Sequence, residues 1–411
     1  MKQNNPIHWA WIILATCFVN LFINYSVRLG YGVVLPEMIR HLEFGRAAGG
    51  SIYNAYLLAY IILTPVSGYL TDTLGARRVI TVCSLILGLG VVFMGTIGSL
   101  WEACLFYAIV GVGATGMWAP VLSVVQRWFA PHRRGLALGI LSTGYGLGFA
   151  SMGAAFPWIV AHYTWRYAWY LLGAGALIMS GVNALLLRSN PESSGYAPWG
   201  ERNPLLQSRE KLGGPLPHGR SLCLVLKHPT FWLIGLSYFS IAYSLYGITT
   251  FMVDYAAYQI GLPLIKASLL ATVHGIGQII GVLTILPASD FLGRKRALII
   301  SNSFVTGCLI GILFTGSSWQ VLFILVGIMA LFYGATFPLY GACAGDYFPR
   351  ELIGTVIGAW TPLYGGGAIL AHWVTGILRD TTGIYDHAFL INSGMAAAAL
   401  FLISFVAKKS G

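Results

Sequence analysis

The segment Gly68-Tyr-Leu-Thr-Asp72-Thr-Leu-Gly75-Ala-Arg77-Arg78 decides the fold, because it separates two apolar runs and returns once more along the chain. The second copy is Asp290-Phe-Leu-Gly293-Arg-Lys-Arg296, in which the Asp, the Gly and two cations keep their spacing at an offset of 218 residues. Glycine permits a positive φ, and an Asp at this place can cap or pair with a neighbouring helix end. Each copy therefore predicts a tight, charged turn between two helices.

A second pair of segments supports this repeat. Arg127-Trp-Phe129 leads to Gly135, and Asp346-Tyr-Phe348 leads to Gly354, at an offset of 219 residues. Two independent segments with almost the same offset indicate two homologous halves. In membrane proteins such parallel repeats are related by an axis along the membrane normal, and the substrate site is expected at the midplane between them.

Composition excludes a soluble globular protein. Of the 411 residues, 57% are hydrophobic and only 9% are charged, and the mean hydropathy is +0.73. Soluble domains are roughly 45–50% apolar and about 25% charged, whereas each helical span of a bilayer needs about 20 apolar residues. Hydropathy predicts twelve spans, at 9–38, 48–71, 79–98, 102–127, 136–162, 167–187, 229–257, 265–288, 297–316, 320–345, 354–378 and 387–407.

The spans divide six and six around one long polar insert, 188–228, which is rich in Pro and Gly. We interpret this insert as a cytoplasmic linker between an N-terminal six-helix bundle, 1–187, and a C-terminal one, 229–411. The predicted fold class is thus an all-α membrane protein with twelve transmembrane helices in two pseudo-symmetric bundles.

The distribution of the 24 cations predicts the orientation. With the N-terminus inside, 18 cations lie in inner loops and tails, five lie outside, and Arg28 alone lies within a span. The excess of inner cations favours cytoplasmic termini and a multi-pass protein of the cell (inner) membrane. Because topology accounts for the net charge of +11, we expect no nucleic-acid partner.

Other features are read as structural. The six cysteines contain no CxxC pair and are interpreted as small packing residues, so neither a disulfide nor a metal site is expected. The first apolar run lacks a basic leader and a small-residue cleavage site, so helix 1 is expected to be retained. No motif predicts a cofactor or an enzyme. Glycine runs at Gly144–Gly148 and Gly365–Gly367 are expected to allow close helix approach and bending.

The two charged turns resemble the signature loop of the major facilitator superfamily, in which the second copy is the weaker one. This resemblance covers essentially the whole chain. It implies that the turns act as cytoplasmic gating loops. The residues that would act in this way are, in chain order, Gly68, Asp72, Gly75, Arg77, Arg78, Asp290, Gly293 and Arg296.

Within that superfamily, several motifs resemble those of monocarboxylate transporters and oxalate/formate-type antiporters. The main one is Trp128-Phe129 followed by Arg133-Arg-Gly-Leu-Ala-Leu-Gly-Ile140 and Gly144-Tyr-Gly146. Trp9-Ala-Trp11, Trp165-Arg166 and Pro191-Glu192 are similar too. The resemblance implies a secondary transporter of small organic anions.

Arg28 is the residue most informative about the substrate. An Arg within a bilayer costs about 2.5–3.5 kcal/mol on insertion scales unless it faces a polar cavity or a partner. A guanidinium presents a planar fork that matches a carboxylate, so we expect Arg28 to bind a small organic anion, with Tyr31 nearby. Two alternatives are that Arg28 reaches outward, or that it pairs structurally with Glu37 or Asp254.

The C-terminal half supplies uncharged candidates. The repeat offset relates Arg28 to Tyr246, a hydroxyl donor. In the transporters that the chain resembles, helix 8 usually carries an Arg one turn after an acidic residue; in this chain His274 and Gln278 take those places, which departs from the usual substrate and coupling scheme. Further aromatic candidates for the cavity wall are Trp118, Tyr333 and Tyr364.

The predicted function is a secondary active transporter that moves a small organic anion, a monocarboxylate, by alternating access. His274 and Asp254 are candidates for proton coupling, because few other titratable groups lie at depth. Anion exchange, uniport of another solute, and a non-transporting membrane sensor of the same fold remain alternatives. The expected partners are the organic anion, protons and the lipid bilayer, and we expect a monomer.

Overall fold

A computed structural model describes residues 8–130, 133–201, 224–316, 318–349 and 352–407, and α-helices dominate this part of the chain. The predicted N-terminal half contains eight helices. They are α1 (Trp9–Arg28), α2 (Tyr31–Leu42), α3 (Arg46–Leu74), α4 (Ala76–Met94), α5 (Leu100–Ala114), α6 (Ala119–Trp128), α7 (Arg134–His162) and α8 (Trp165–Leu186).

The predicted C-terminal half contains six long helices. They are α9 (Pro229–Thr249), α10 (Leu264–Leu292), α11 (Arg294–Leu313), α12 (Trp319–Tyr347), α13 (Ile353–Thr382) and α14 (Asp386–Ser404). Eleven helical segments of the described residues are long and apolar enough to cross a bilayer. The remaining predicted span, 354–378, lies in α13, which has 30 residues and hence a length of about 45 Å.

Contacts divide the chain into two compact units. Unit 1 comprises Met1–Val34 and Ile52–Lys211, and unit 2 comprises Leu35–Ser51 and Leu212–Gly411. Unit 2 therefore includes a short segment that precedes most of unit 1 in sequence. The assignment of 1–187 and 229–411 as the two bundles stays a prediction, and residues 202–223 of the predicted linker lie outside the described part of the chain.

Three predicted spans are interrupted, which corrects the prediction of continuous helices. The first ends at Arg28 and restarts at Tyr31. The fourth passes through a 3₁₀ turn at Thr115–Met117, after which Pro120 begins the next helix at a position that needs no N–H donor. The seventh ends at Thr249 and continues as a short helix and a π-helical turn, Tyr255–Gln259. Such interruptions leave no sign in hydropathy, because the residues on both sides are apolar.

The two repeated turns have nearly the same backbone geometry. Gly75 has φ 85° and ψ 142°, and Gly293 has φ 84° and ψ 140°. The prediction that glycine supplies a positive φ at both turns is confirmed. The predicted loops are shorter than expected, since Gly68–Leu74 and Asp290–Leu292 are still helical and only one glycine separates the helices.

Close helix packing depends on glycine in both units. In unit 1 a Cβ at Gly148 would lie 2.5 Å from the carbonyl oxygen of Phe22. In unit 2 a Cβ at Gly367 would lie 2.2 Å from the carbonyl oxygen of Phe239. These contacts confirm close helix approach at the two predicted glycine runs, because any side chain there would separate the helices.

A reciprocal amide pair also holds unit 1 together. Asn20 of α1 donates to the side-chain oxygen of Asn183 of α8 over 2.7 Å, and Asn183 donates back over 2.9 Å. Both residues are buried, so each amide satisfies a polar group that would otherwise lack a partner in an apolar surrounding.

Candidate functional site

Arg28 lies at the interruption of the first span, as the last residue of α1. The helix ends at this point because Gly30 packs so closely that a Cβ would lie 2.7 Å from Cγ of Met152. Arg28 is only 5% exposed, and its cation stands near the carbonyl end of α1, where the helix dipole favours positive charge.

Three tyrosine rings surround the Arg28 guanidinium. Its Cζ lies 5.8 Å from the ring centre of Tyr25, 5.8 Å from that of Tyr56 and 5.3 Å from that of Tyr60. Cations are attracted to aromatic faces at such distances, and the attraction strengthens when water is excluded. The rings therefore stabilise a buried cation without neutralising it, which leaves its charge available to an anion.

The two acidic residues considered as structural partners of Arg28 have cations of their own. Glu37 accepts a hydrogen bond from Arg40 over 2.7 Å. Asp254 pairs with Arg46, whose Nε lies 3.2 Å from a carboxylate oxygen.

Trp118 and Tyr31 have different surroundings. Trp118 follows the 3₁₀ turn in the fourth span, and its ring centre lies 6.4 Å from that of Tyr25, so it belongs to the Arg28 group. Tyr31 is fully buried and stacks on Tyr107, with ring centres 4.9 Å apart, in an aromatic cluster that also contains Tyr53 and Trp169.

In unit 2 the predicted residues form a continuous row. The hydroxyl of Tyr246 on α9 is hydrogen-bonded to that of Tyr364 on α13, with 2.5 Å between the oxygens. Phe337 of α12 contacts Tyr364 and Tyr333, at ring distances of 5.2 and 5.3 Å. The His274 ring of α10 lies edge-on to Tyr333, with 4.9 Å between ring centres.

Gln278 lies one turn after His274 and is fully buried. Its side-chain oxygen and nitrogen have no hydrogen-bond partner within the described residues. A buried amide without partners is costly, so Gln278 has both a donor and an acceptor to offer to a polar ligand.

Sequence reasoning missed three residues of these groups: Tyr60, Phe337 and His372. Tyr60 follows Tyr56 by one helical turn, which the 3.6-residue period could have revealed. His372 follows Tyr364 by about two turns on α13; its Nε2 lies 2.9 Å from the hydroxyl oxygen of Thr250, and its ring lies 5.8 Å from that of Tyr246. No spacing rule connects His372 with Thr250, because the two residues come from different helices.

The charged turns form local bonds. Asp290 forms an ion pair with Arg294 at the start of α11, and Arg77 donates to the carbonyl oxygen of Ala184. Asp72 is exposed. These contacts link adjacent helix ends, while the gating role of both turns stays a prediction.

Comparison with known proteins establishes the family. The family model described as Major Facilitator Superfamily matches residues 17–268 and 234–410. The chain belongs to the major facilitator superfamily. It is accordingly a multi-pass membrane transporter with an all-α fold, and it is not an enzyme.

Individual relatives of this transporter differ in substrate. A hexuronate transporter of Bacillus subtilis is 24% identical over 409 residues, 96% of this chain and 94% of the relative. Monocarboxylate transporter 11 of Mus musculus is 27% identical over 419 residues, 96% of this chain and 86% of the relative. The solved structure of a bacterial homologue of the human lysosomal transporter Spinster is 18% identical, covers 98% of this chain and 95% of that chain, and has a TM-score of 0.72; this likeness is one of fold.

Proposed function

We propose that this transporter moves a small organic anion, a monocarboxylate, across the cell membrane by alternating access, with both termini in the cytoplasm. The observation that carries the proposal is the burial of Arg28 among three tyrosine rings within the first span. A permanently charged fork kept at depth at such a cost is best explained by an anionic ligand.

One cation with aromatic surroundings favours a single carboxylate over a phosphate. A carboxylate can take two parallel N–H bonds from one guanidinium, whereas a dianionic phosphate is better matched by several cations. The names of the two relatives, a hexuronate transporter and a monocarboxylate transporter, both denote carboxylates, which supports this substrate class.

The uncharged groups of unit 2 are assigned to the remainder of the substrate. The Tyr246 and Tyr364 hydroxyls and the Gln278 amide offer both donors and acceptors to a hydroxyl or keto group. A substrate that lacks the polar group such residues expect leaves them unpaired, so these residues are suited to selecting among carboxylates.

Of the two proton-coupling candidates, the contacts favour His274. Asp254 is held by Arg46 and by a hydrogen bond from Tyr385, and both interactions stabilise its ionised form. His274 lies beside Tyr333 of the unit 2 row and changes charge more readily near neutral pH than a paired carboxylate. We therefore assign proton coupling to His274.

A thermal-shift screen of the purified protein tests the substrate class. L-lactate, succinate, D-glucuronate and glucose 6-phosphate are added to the wild type and to Arg28→Gln. We expect a monocarboxylate to raise the melting temperature of the wild type, because a ligand of the folded state stabilises it, and to leave Arg28→Gln unchanged. A shift that persists in Arg28→Gln, or one given only by glucose 6-phosphate, would contradict the proposal.

Reconstituted vesicles separate the transport modes. Counterflow of the carboxylate identified by the screen is expected for a transporter, whereas a sensor of the same fold would bind without counterflow. Uptake driven by an inward proton gradient would support symport. Uptake indifferent to that gradient would leave exchange or uniport.

A further inference from the structure

The segment Leu35–Ser51 belongs to unit 2, although the chain on both sides of it belongs to unit 1. It contains α2 from Leu35 onward and the first turns of α3. The chain enters this segment at Val34 and leaves it at Ile52, so it is covalently joined to unit 1 at both ends. Any movement of unit 1 relative to unit 2 must either carry this segment along or detach it from unit 2.

The start of α3 is capped by a carboxylate from another helix. Asp380, near the end of α13, accepts hydrogen bonds from the backbone N–H groups of Arg46 and Ala47, both over 2.8 Å. The first N–H groups of a helix have no partner within the helix, and an anion at this end is further stabilised by the helix dipole. Asp380 is exposed, so water can replace it when the bonds break.

A second carboxylate holds the Arg46 side chain. Nε and Nη2 of Arg46 lie 3.2 and 3.4 Å from the two oxygens of Asp254. The Tyr385 hydroxyl donates to the same carboxylate over 2.5 Å. Burial and the Asp254 carboxylate raise the pKa of Tyr385 well above its ordinary value, so this phenol keeps its proton and remains a donor.

Small residues let the same stretch lie close to α13. A Cβ on Gly376 would lie 2.6 Å from Cα of Ala47, and a Cβ on Gly50 would lie 2.7 Å from the carbonyl oxygen of His372. The indole of Trp373 donates to the hydroxyl of Ser51 over 2.9 Å. The stretch is therefore attached by backbone proximity and polar bonds, with little large apolar surface.

We propose that residues Gly45–Ser51 form a latch, which Asp254 and Asp380 hold on unit 2 and which leaves unit 2 as one body during transport. The proposal uses the family's transport function but no particular substrate, so it can fail or succeed independently of the anion assigned above. Polar attachments suit a releasable contact, because water solvates the separated charges and offsets much of the loss. A static helix start would need only its cap.

Hydrogen exchange of the full-length protein in lipid nanodiscs tests the latch. The measured amides are those of Arg46–Ser51, in a peptide whose sequence is unchanged in Asp254→Asn and Asp380→Ala. Asp380 bonds two of these amides directly, whereas Asp254 contacts only the Arg46 side chain. An effect of Asp254→Asn on the amides therefore reports release of the whole latch.

Both variants are expected to raise exchange of the entire stretch about tenfold. The controls Arg40→Gln and Asp386→Asn remove charges that pair elsewhere in unit 2, with Glu37 and Gln259, and should leave the stretch at the wild-type rate. Should Asp254→Asn fail to fold, Arg46→Gln is measured on Gly49–Ser51, whose intrinsic rates it does not alter. The latch is overturned when removal of the Asp254–Arg46 pair leaves exchange unchanged, or when the effect of Asp380→Ala is confined to Arg46 and Ala47.

Discussion

The two halves keep the same turns but differ in the residues offered to a ligand. Gly75 and Gly293, 218 residues apart, agree within a few degrees in φ and ψ. The same offset relates Arg28, a buried cation, to Tyr246, a neutral hydroxyl bonded to Tyr364. The difference teaches that the turns answer to backbone geometry, which both halves share, whereas the ligand-binding positions have diverged. In the proposed function, unit 1 supplies charge and unit 2 supplies neutral polar groups.

The largest effect is expected from removing the charge of unit 1. Arg28→Gln should lower uptake of the transported carboxylate in vesicles about 100-fold, because a charge-assisted fork contributes about 1.5–3 kcal/mol. Arg28→Lys should restore only part of the uptake, since an ammonium lacks the planar fork. The matched control is Arg40→Gln, which removes an exposed cation and should transport like the wild type. Normal uptake by Arg28→Gln would remove the contrast between the halves.

The shared turns should respond alike. Gly75→Ala and Gly293→Ala each place a side chain at φ near +85°, which costs of the order of 1–3 kcal/mol. We expect similar decreases in melting temperature for both variants, monitored by tryptophan fluorescence. Gly139→Ala is the control, because this helical glycine has open space around its Cβ position. A loss confined to one turn would show that the repeat is not structurally equivalent.

A smaller effect is expected in unit 2. Tyr246→Phe removes one hydroxyl from the pair with Tyr364 and should reduce affinity for the carboxylate about fivefold, in line with about 1 kcal/mol per neutral hydrogen bond. Isothermal titration measures it against the wild type. A loss as large as that of Arg28→Gln would mean that unit 2 is as important to anion binding as unit 1.

The smallest effect concerns coupling. His274→Gln should abolish the stimulation of uptake by an inward proton gradient, a change of about two- to threefold, because the amide cannot carry the proton. Counterflow without a gradient should continue, which separates coupling from binding. Stimulation that survives in His274→Gln would return the assignment to Asp254.

Much of this organisation could be predicted from the sequence, for physical reasons. Hydropathy located the spans because a bilayer tolerates few charges, and the Gly75 and Gly293 turns were visible because only glycine takes that conformation readily. The interruptions at Arg28–Tyr31 and Thr115–Met117 were missed, since apolar residues continue through both.

Contacts between distant parts of the chain were also hidden. Arg46 with Asp254, and His372 with Thr250, are brought together by helix packing alone. Arg28 stood out as a cation at depth, but its tyrosine rings come from Tyr25 on its own helix and from Tyr56 and Tyr60 on α3. A single sequence contains no distance between such residues.

The central claim is that Arg28 recognises the charge of the substrate, and one comparison tests it most directly. The dissociation constants of the identified carboxylate and of its uncharged amide are measured with the wild type and with Arg28→Gln. We predict that the wild type prefers the carboxylate about 100-fold and that Arg28→Gln binds the two compounds almost equally, because the charge-assisted bond is lost. A preference for the carboxylate that is unchanged in Arg28→Gln would contradict the account.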